Sequence, residues 1–252
     1  MTLVPAAAVK STKIAMANKT NDLTDKIKPI AIPGIHDKFY IYLINHIKSY
    51  TNPSILDLGA GHGYLVKRLH EDGFNVNASD LFPESYYYDK VPCHKADLTQ
   101  VLPFANESFD VLLAVEVMEH IFDHELFFRE AHRILKKGGV LFFTTPNILS
   151  LKSRFRFLFS GFFYSFSPLD YNRNDGLQHT ASLTVDQYRY LATKNQFTDI
   201  DISFDKRQST SCMLTVLIPF IRLYCKMKSI KYSIHNNFDY LTGRILFVKI
   251  KK

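Results

Sequence analysis

The sequence predicts an α/β fold in which helices flank a parallel β-sheet. From Ser54 onward, short apolar runs alternate with amphipathic stretches, which is the pattern of repeated βαβ units. The runs 109–115 and 139–145 are almost continuously apolar, as expected of strands that are buried on both faces of a sheet. With 252 residues, 46% of them hydrophobic and 22% charged, the chain is long enough to bury one sizeable core.

Each element follows from its local pattern. The first is a helix over 35–50, in which Phe39, Leu43 and Ile47 recur at helical spacing. The others are expected in the order strand 54–58, helix 64–72, strand 75–80, a short strand that ends near Asp97, strand 109–115, helix 123–135, strand 139–145, helix 184–195, strand 199–204 and strand 244–250. Gly138 and Gly139 are expected to close helix 123–135.

Three segments lie outside this alternation. Residues 1–30 show no sustained period and are predicted to be a flexible tail before a domain that spans 31–252. Residues 148–182 form an insert after the fifth strand, and we expect it to pack on the domain as a hydrophobic lid; the alternatives are the lining of a pocket or contact with lipid. Its aromatic residues are Phe155, Phe157, Phe159, Phe162, Phe163, Tyr164 and Phe166.

The third segment, 209–240, is an apolar insert between the last two strands. Its apolar run 212–225 is shorter than a bilayer span and contains Pro219 and Arg222, which argues against a transmembrane helix. We expect a core helix that covers the sheet. The alternative is a peripheral contact of residues 211–231 with an anionic membrane surface, because Lys226, Lys228 and Lys231 follow the apolar run.

The net charge does not select a class of partner, but the cysteines and the first residues favour a cytoplasmic location. The net charge of +7 is scattered, so it suits an acidic metabolite, a nucleic acid or an anionic membrane without selecting one. Cys93, Cys212 and Cys225 form no C-x-x-C pair, which argues against a disulfide framework and a zinc site. The first residues lack the charge and the apolar length of a secretory signal. We therefore expect a cytoplasmic protein, with membrane-peripheral attachment as the variant.

A glycine-rich turn follows the first strand and predicts a ligand site. Gly59, Gly61 and Gly63 let the backbone approach a ligand without interference from a Cβ. Dinucleotide-binding folds use a similar turn, but here Tyr64 stands where their last glycine falls. Asp57 before the turn can attract the amino group of a methyl donor. Asp80 ends the next strand and can accept from both hydroxyls of a ribose, although a turn or cap residue is the alternative.

Four linked motifs carry a family resemblance. The runs "ILDLGAGHGYLVKRL", "ASDLFPE", "KADLTQVLPFANESFDVLLAVEVMEHI" and "REAHRILKKGGVLFFTTPN" resemble the successive motifs of class I S-adenosylmethionine-dependent methyltransferases, especially ubiquinone-biosynthesis O-methyltransferases. The match spans about 54–147. It implies a methyltransferase domain with S-adenosylmethionine as cofactor and a Rossmann-like, seven-stranded, mostly parallel sheet whose last strand is antiparallel. One departure is Lys137, where the family commonly has a proline that stiffens the turn.

The resemblance also implies roles for individual residues. Asp57, Gly59 and Gly61 would contact the methionine moiety of the cofactor, Asp80 its ribose, Asp97 and Leu98 its adenine, and Val115 and Glu116 would form the floor beneath the sulfonium. Ala60 and Leu81, which lie within the same motifs, complete the predicted cofactor-binding set.

Catalysis of methyl transfer needs mainly positioning and the exclusion of water, with a base where the acceptor is a hydroxyl. His120, directly after the fourth strand, and His179, after the insert, are the candidate bases; the alternatives are a histidine that holds the loop and a residue that merely precedes the helix cap. Glu116, Glu119 and His120 could instead hold a divalent ion. The prediction assigns no metal ligand.

The predicted function is methyl transfer to a small-molecule acceptor, at a hydroxyl oxygen of a sugar, a quinone precursor or an envelope-building intermediate. One alternative is a non-catalytic relative that serves as a binding subunit. Another is an RNA methyltransferase. Two features expected of such an enzyme are missing from the sequence, an Asn/Asp-Pro-Pro-aromatic signature and an added RNA-binding domain, so nucleic acid is not the expected partner. Neither the acceptor nor the oligomeric state follows from the motifs.

Overall fold

The computed structural model describes residues 26–173 and 175–252, so most of the predicted tail, residues 1–25, lies outside the described part. Seven strands form one sheet: β1 Ser54–Leu58, β2 Asn75–Asp80, β3 Cys93–Lys95, β4 Phe109–Ala114, β5 Leu135–Pro146, β6 Asp199–Phe204 and β7 Ile245–Lys251. The α-helices of the described residues are α1 Ile35–Ile47, α2 Tyr64–Glu71, α3 His124–Ile134, α4 Leu151–Ser160, α5 Val185–Lys194, α6 Ser209–Met213, α7 Ile218–Met227 and α8 Phe238–Thr242.

The sheet has the strand order β3-β2-β1-β4-β5-β7-β6. The first five strands pair in parallel, and β7 lies antiparallel between β5 and β6. This arrangement confirms the predicted seven-stranded, mostly parallel, Rossmann-like sheet with an antiparallel last strand. β3 ends at Lys95, two residues before Asp97.

Two apolar cores cover the two faces of the sheet, which explains why the central strands lack polar alternation. On one face, Leu112 of β4 packs in a cluster with Phe127 of α3 and Tyr188 of α5. On the other face, Val111 joins Phe39 of α1 and the buried side of α2. Successive residues of a strand point to opposite faces, so each strand contributes to both cores.

The topology also fixes where a ligand can bind. The chain leaves β1 toward β2 on one side, and β4 lies on the other side of β1. The loops after β1 and β4 therefore diverge and leave a crevice at the carboxyl ends of the two strands, which is where open α/β sheets bind ligands. The glycine turn follows β1, and Val115 and Glu116 follow β4.

The expectation that Gly138 and Gly139 close a helix is wrong. Helix α3 ends at Ile134, and β5 begins at Leu135, which pairs with Phe109. The two glycines meet different requirements: Gly138 has φ +76°, whereas a Cβ on Gly139 would lie 2.9 Å from the Lys136 carbonyl oxygen and 3.0 Å from that of Asp110.

The two inserts also differ from expectation. The aromatic insert begins with α4, whose Phe155 and Phe159 are 45% and 73% exposed, so this part is not a lid packed on the domain. Within the apolar insert Ser209–Met227 is helical, and only 11% of the residues in its most apolar stretch are buried, so it is not a core helix that covers the sheet. By length and composition alone this helix could cross a membrane. Apolar periodicity predicts the helical face but not what covers it.

Candidate functional site

A cavity of about 880 Å³ opens at the carboxyl ends of β1, β2 and β4. Nine of the ten residues predicted to bind the cofactor line it, namely Gly59, Ala60, Gly61, Asp80, Leu81, Asp97, Leu98, Val115 and Glu116. The tenth, Asp57, is 3% exposed and does not belong to the lining. Both predicted catalytic histidines, His120 and His179, line the same cavity.

The glycine turn is built so that only a bare backbone fits. Gly59 has φ +80°, and a Cβ there would lie 2.6 Å from Cγ2 of Val117, closer than any real contact. The backbone N–H groups of Gly59 and Ala60 both donate to the carbonyl oxygen of Ser79, at 2.8 and 2.9 Å. The turn is thereby tied to β2 and presents its surface to the cavity.

Asp80 closes the turn from the end of β2. Its Oδ2 accepts from the backbone N–H of Gly61 and its Oδ1 from that of Phe82, each at 2.8 Å. Asp80 is therefore a turn residue, as the alternative interpretation held. A carboxylate offers about four acceptor positions, so capacity remains for the two hydroxyls of a ribose.

Asp57 lies behind the turn in an environment that disfavours its charge. Burial raises the pKa of this carboxyl to about 7, and the negative charge of Asp80 adds to the effect. The carboxyl of Asp57 is buried and does not line the cavity, so its predicted contact with the amino group of the cofactor stays a prediction.

Glu116 holds an unusual backbone conformation at the end of β4. Its φ is +54°, which is the left-handed region that non-glycine residues rarely adopt. The hydroxyl of Thr144 accepts from the Glu116 N–H and donates to Glu116 Oε1, both at 2.8 Å. Burial raises the pKa of Glu116 to about 7. Strain at such a position is found where the surrounding structure enforces it, often at ligand sites.

His120 and His179 meet at the far end of the cavity, with ring centroids 4.9 Å apart. His120 Nδ1 lies 3.0 Å from the carbonyl oxygen of Gln178. A carbonyl can only accept, so Nδ1 carries the proton, and Nε2 of the neutral ring keeps its lone pair. The backbone N–H of Thr180 donates to the Glu119 carbonyl at 2.8 Å, which fixes the end of the insert against the loop after β4.

Both imidazoles are held in the neutral form. Burial lowers the pKa of His120. Burial, together with the proximity of His120, lowers the pKa of His179 to about 4. At neutral pH each ring is therefore able to accept a proton.

Glu119 completes a buried group beside the histidines. The residue is 1% exposed, and neither carboxylate oxygen makes a hydrogen bond of good geometry with a described residue, although the hydroxyl of Thr145 interacts with the group. Burial and the charge of Glu116 raise its pKa well above the ordinary value. Ligand atoms of Glu119, His120 and His179 all lie within 4.8 Å of one another. This set of possible metal ligands differs from the set suggested by the sequence, Glu116, Glu119 and His120, because His179 takes the place of Glu116.

Several cavity residues escaped the sequence interpretation. Ile30, Ala31, Ile32 and His36 line the cavity, although Ile30 was placed in the tail. A Cβ on Gly61 would lie 2.9 Å from Cδ1 of Ile30, so the segment before α1 covers the turn. No periodic or motif signal marks this segment.

A second cavity of about 290 Å³ adjoins the first on the side of the insert. It shares Leu177 and His179 with the main cavity. Its polar lining includes Ser167, Arg173 and Gln178. The insert thus supplies His179 to the main cavity and a polar second cavity beside it.

Comparison with known proteins agrees with this geometry. The family described as "Methyltransferase domain" matches residues 56–143. The mitochondrial ubiquinone biosynthesis O-methyltransferase of Homo sapiens is 30% identical over 181 residues, which are 63% of this chain and 48% of that protein. The ubiquinone biosynthesis O-methyltransferase of Chelativorans sp. (strain BNC1) is 29% identical over 133 residues, 48% of this chain and 53% of that protein. The chain spans about half the length of these relatives.

A solved structure reproduces the fold over most of the chain. It is a SAM-dependent methyltransferase from Archaeoglobus fulgidus, with a TM-score of 0.58 and 16% identity over 87% of this chain and 95% of its own.

Proposed function

We propose that this chain, whose residues 56–143 match the methyltransferase-domain family, is a class I S-adenosylmethionine-dependent methyltransferase and that it transfers the methyl group of S-adenosylmethionine to a hydroxyl oxygen of a small-molecule acceptor. One observation carries this proposal: a single cavity contains both the glycine turn with Asp80 and the histidine pair. A protein that only bound the cofactor would not need a neutral histidine at the reaction end of the same cavity.

The residues present fit the methyl donor. At Gly59 a Cβ would collide with Val117, so the turn keeps open the space that a close-lying ligand needs. Asp80 has acceptor capacity for the ribose, and Asp97 and Leu98 line the wall toward the adenine. When bound, S-adenosylmethionine would supply a methyl carbon to which the acceptor oxygen bonds in line while the carbon–sulfur bond breaks, with S-adenosylhomocysteine as the leaving group.

His120 is the base in this proposal. Its Nε2 carries the free lone pair because Nδ1 donates to the Gln178 carbonyl. The ring takes the proton of the acceptor hydroxyl as the oxygen forms its bond to the methyl carbon, and it later releases that proton to water. His179 lines both cavities and, as a neutral ring, orients the acceptor beside His120.

The acceptor proposed from these features is a hydroxylated ring compound, with a quinone precursor preferred over a sugar or an envelope intermediate. The names of the relatives, ubiquinone biosynthesis O-methyltransferases, favour methylation of oxygen. Ser167, Asp170 and Arg173 offer hydrogen-bonding groups to polar substituents of such a ring, with Arg173 also paired to Asp175 at 2.6 Å.

Two measurements test the proposal. Calorimetry should detect binding of S-adenosylmethionine by the wild type, and Asp80→Ala should weaken it by about tenfold or more, since hydrogen bonds to a charged group are lost. Incubation of the protein and a labelled donor with a metabolite extract should then yield a labelled O-methyl product. Binding without a product would favour a binding subunit, whereas label in RNA would favour an RNA methyltransferase.

One observation favours metal binding as a second role of the histidine pair. The Glu119 carboxylate lies beside the two rings, buried and without a hydrogen bond of good geometry. One carboxylate and two imidazoles form a set that suits Zn²⁺, Mn²⁺ or Fe²⁺ better than Mg²⁺. A metal there would activate the acceptor hydroxyl in place of His120. Loss of activity in a chelator, restored by Mn²⁺ in the wild type but not in Glu119→Gln, would assign the group to a metal. Unchanged activity in the chelator would leave His120 as the base.

A further inference from the structure

Two neighbouring segments, 151–171 and 209–238, expose an excess of apolar surface. They hold 14 of the 21 exposed large hydrophobic side chains among the described residues, in less than a quarter of those residues. An excess of this kind marks an interaction surface.

On one of the two helices the exposed side chains form a stripe. Along Ser209–Met227 they recur every three or four residues, which places them on one helical face: Met213, Val216, Phe220, Leu223 and Met227. On α4 the exposed large apolar residues, Phe155, Phe157, Leu158 and Phe159, cover more than one side of the second half of the helix. The opposite faces are buried at Ser211 and Cys225 in one segment and at Ser153 in the other.

Polar contacts tie the two segments to each other. The backbone N–H of Lys152 donates to Oγ of Ser211 at 3.1 Å. The guanidinium of Arg154 donates to Asn236 Oδ1 at 2.6 Å and to the His235 carbonyl at 2.8 Å. A 3₁₀ turn, Leu214–Leu217, also interrupts the α-helix. The two segments therefore pack as one unit, and Ser209–Met227 is not an isolated, continuous α-helix as a spanning segment would be.

The charge pattern selects the partner. The segments 151–171 and 209–238 contain a single acidic residue, Asp170, and their basic residues are Lys152, Arg154, Arg156, Arg222, Lys226, Lys228 and Lys231. A second copy of the chain docking through the same face would bring like charges together. A leaflet of anionic lipids offers both an apolar layer and opposite charge.

We propose that the exposed faces of α4 and Ser209–Met227, here called the docking surface, bind peripherally to an anionic lipid leaflet. The exposed apolar side chains of the docking surface insert at the level of the headgroups. Lys226 and Lys228, at the end of Ser209–Met227, face the lipid phosphates. The docking surface is linked to the active site by ring contacts: Phe157 stacks on Phe163 at 4.5 Å, and Phe166 contacts His179 at 5.3 Å. This inference concerns attachment and does not depend on the proposed acceptor.

The test is flotation of the full chain with phosphatidylcholine vesicles that contain or lack phosphatidylglycerol. The wild type should float only with phosphatidylglycerol, and added salt should weaken the binding. The double variant Phe220→Glu/Leu223→Glu should bind at least about tenfold more weakly, because charge is placed in the stripe. Ile41→Glu is the matched control: Ile41 is 60% exposed on α1, and its loss should leave flotation unchanged.

A second variant guards against misfolding. Lys226→Glu/Lys228→Glu changes only exposed side chains and should abolish flotation, while the melting temperature and binding of S-adenosylmethionine stay as in the wild type. The proposal is overturned if the wild type does not float, if it floats equally without phosphatidylglycerol, or if both double variants float normally. It is also overturned if membrane-bound protein resists alkaline carbonate, which indicates a spanning helix. A dimer that Phe220→Glu/Leu223→Glu dissociates would assign the face to a second copy instead.

Discussion

The ring of His120 lies 4.9 Å from the ring of His179, although 58 residues separate them in the chain. The contact exists because the carbonyl of Gln178 accepts from His120 Nδ1 and the N–H of Thr180 donates to the Glu119 carbonyl. These bonds fix the end of the insert to the loop after β4. The part of the cavity that contains the two histidines is therefore built from two segments that are distant in the chain.

The first prediction concerns His120 as the base. His120→Ala should lower kcat by about 100-fold or more, because a positioned base is lost, while donor affinity stays unchanged. In the wild type the rate should be constant above pH 6.5 and fall below it, since burial places the pKa of His120 under its ordinary 6.5 and the base acts when deprotonated. Steady-state kinetics across pH measure both effects. His94→Ala, an exposed histidine outside the cavity, should change neither; an unaltered rate in His120→Ala would remove His120 from this role.

The second prediction separates backbone strain from a steric clash in the glycine turn. Gly59 and Gly73 have φ +80° and +86°, but a Cβ meets Val117 only at Gly59. Gly73→Ala should cost about 1–2 kcal/mol of unfolding free energy from strain alone, and Gly59→Ala clearly more. Gly59→Ala/Val117→Ala should recover part of the difference. Urea unfolding supplies the free energies, and equal costs at the two glycines would contradict the clash.

The third prediction compares two adjacent buried threonines in β5. Thr144 makes two hydrogen bonds to Glu116, whereas the hydroxyl of Thr145 makes no hydrogen bond of good geometry with a described residue and only interacts with the side chains of Glu119 and Tyr188. Thr144→Val should destabilise the protein by about 1–3 kcal/mol and weaken donor binding, because it releases Glu116. Thr145→Val should be neutral or stabilising. Thermal unfolding and calorimetry check both; a larger loss in Thr145→Val would show that its hydroxyl is bonded.

The fourth prediction uses the raised pKa of Asp57. Its pKa is about 7 in the folded chain against an ordinary 3.8, so between these pH values the folded state holds a proton that the unfolded state releases. Stability should therefore fall as pH rises from about 4 to 7. Asp57→Asn should remove the part of this dependence that Asp57 causes, while the parts due to Glu116 and Glu119 remain, and it should exceed the wild type above pH 7 by at most about 4 kcal/mol.

Unfolding free energies measured across this range test the prediction for Asp57. Asp89→Asn, which changes an exposed carboxylate, should keep the pH dependence of the wild type. Parallel curves for the wild type and Asp57→Asn would mean that Asp57 is ionised in the folded state.

The sequence by itself determined the order of the elements and the position of the donor turn. Apolar runs buried on both faces predict parallel strands, and a turn after β1 that ends on Asp80 predicts a site at the switch point of the sheet. These features depend on residues close together in sequence. Local patterns therefore suffice to predict them.

Only the tertiary structure decided how the inserts are used. Nothing near His179 in sequence indicates His120, because their contact depends on backbone hydrogen bonds between segments 58 residues apart. Likewise, periodicity marks Phe220 and Met227 as one apolar face, but whether that face is covered depends on which elements pack beside it. Ile30 lines the cavity for the same reason: its position is set by the turn it covers and not by its neighbours in the chain.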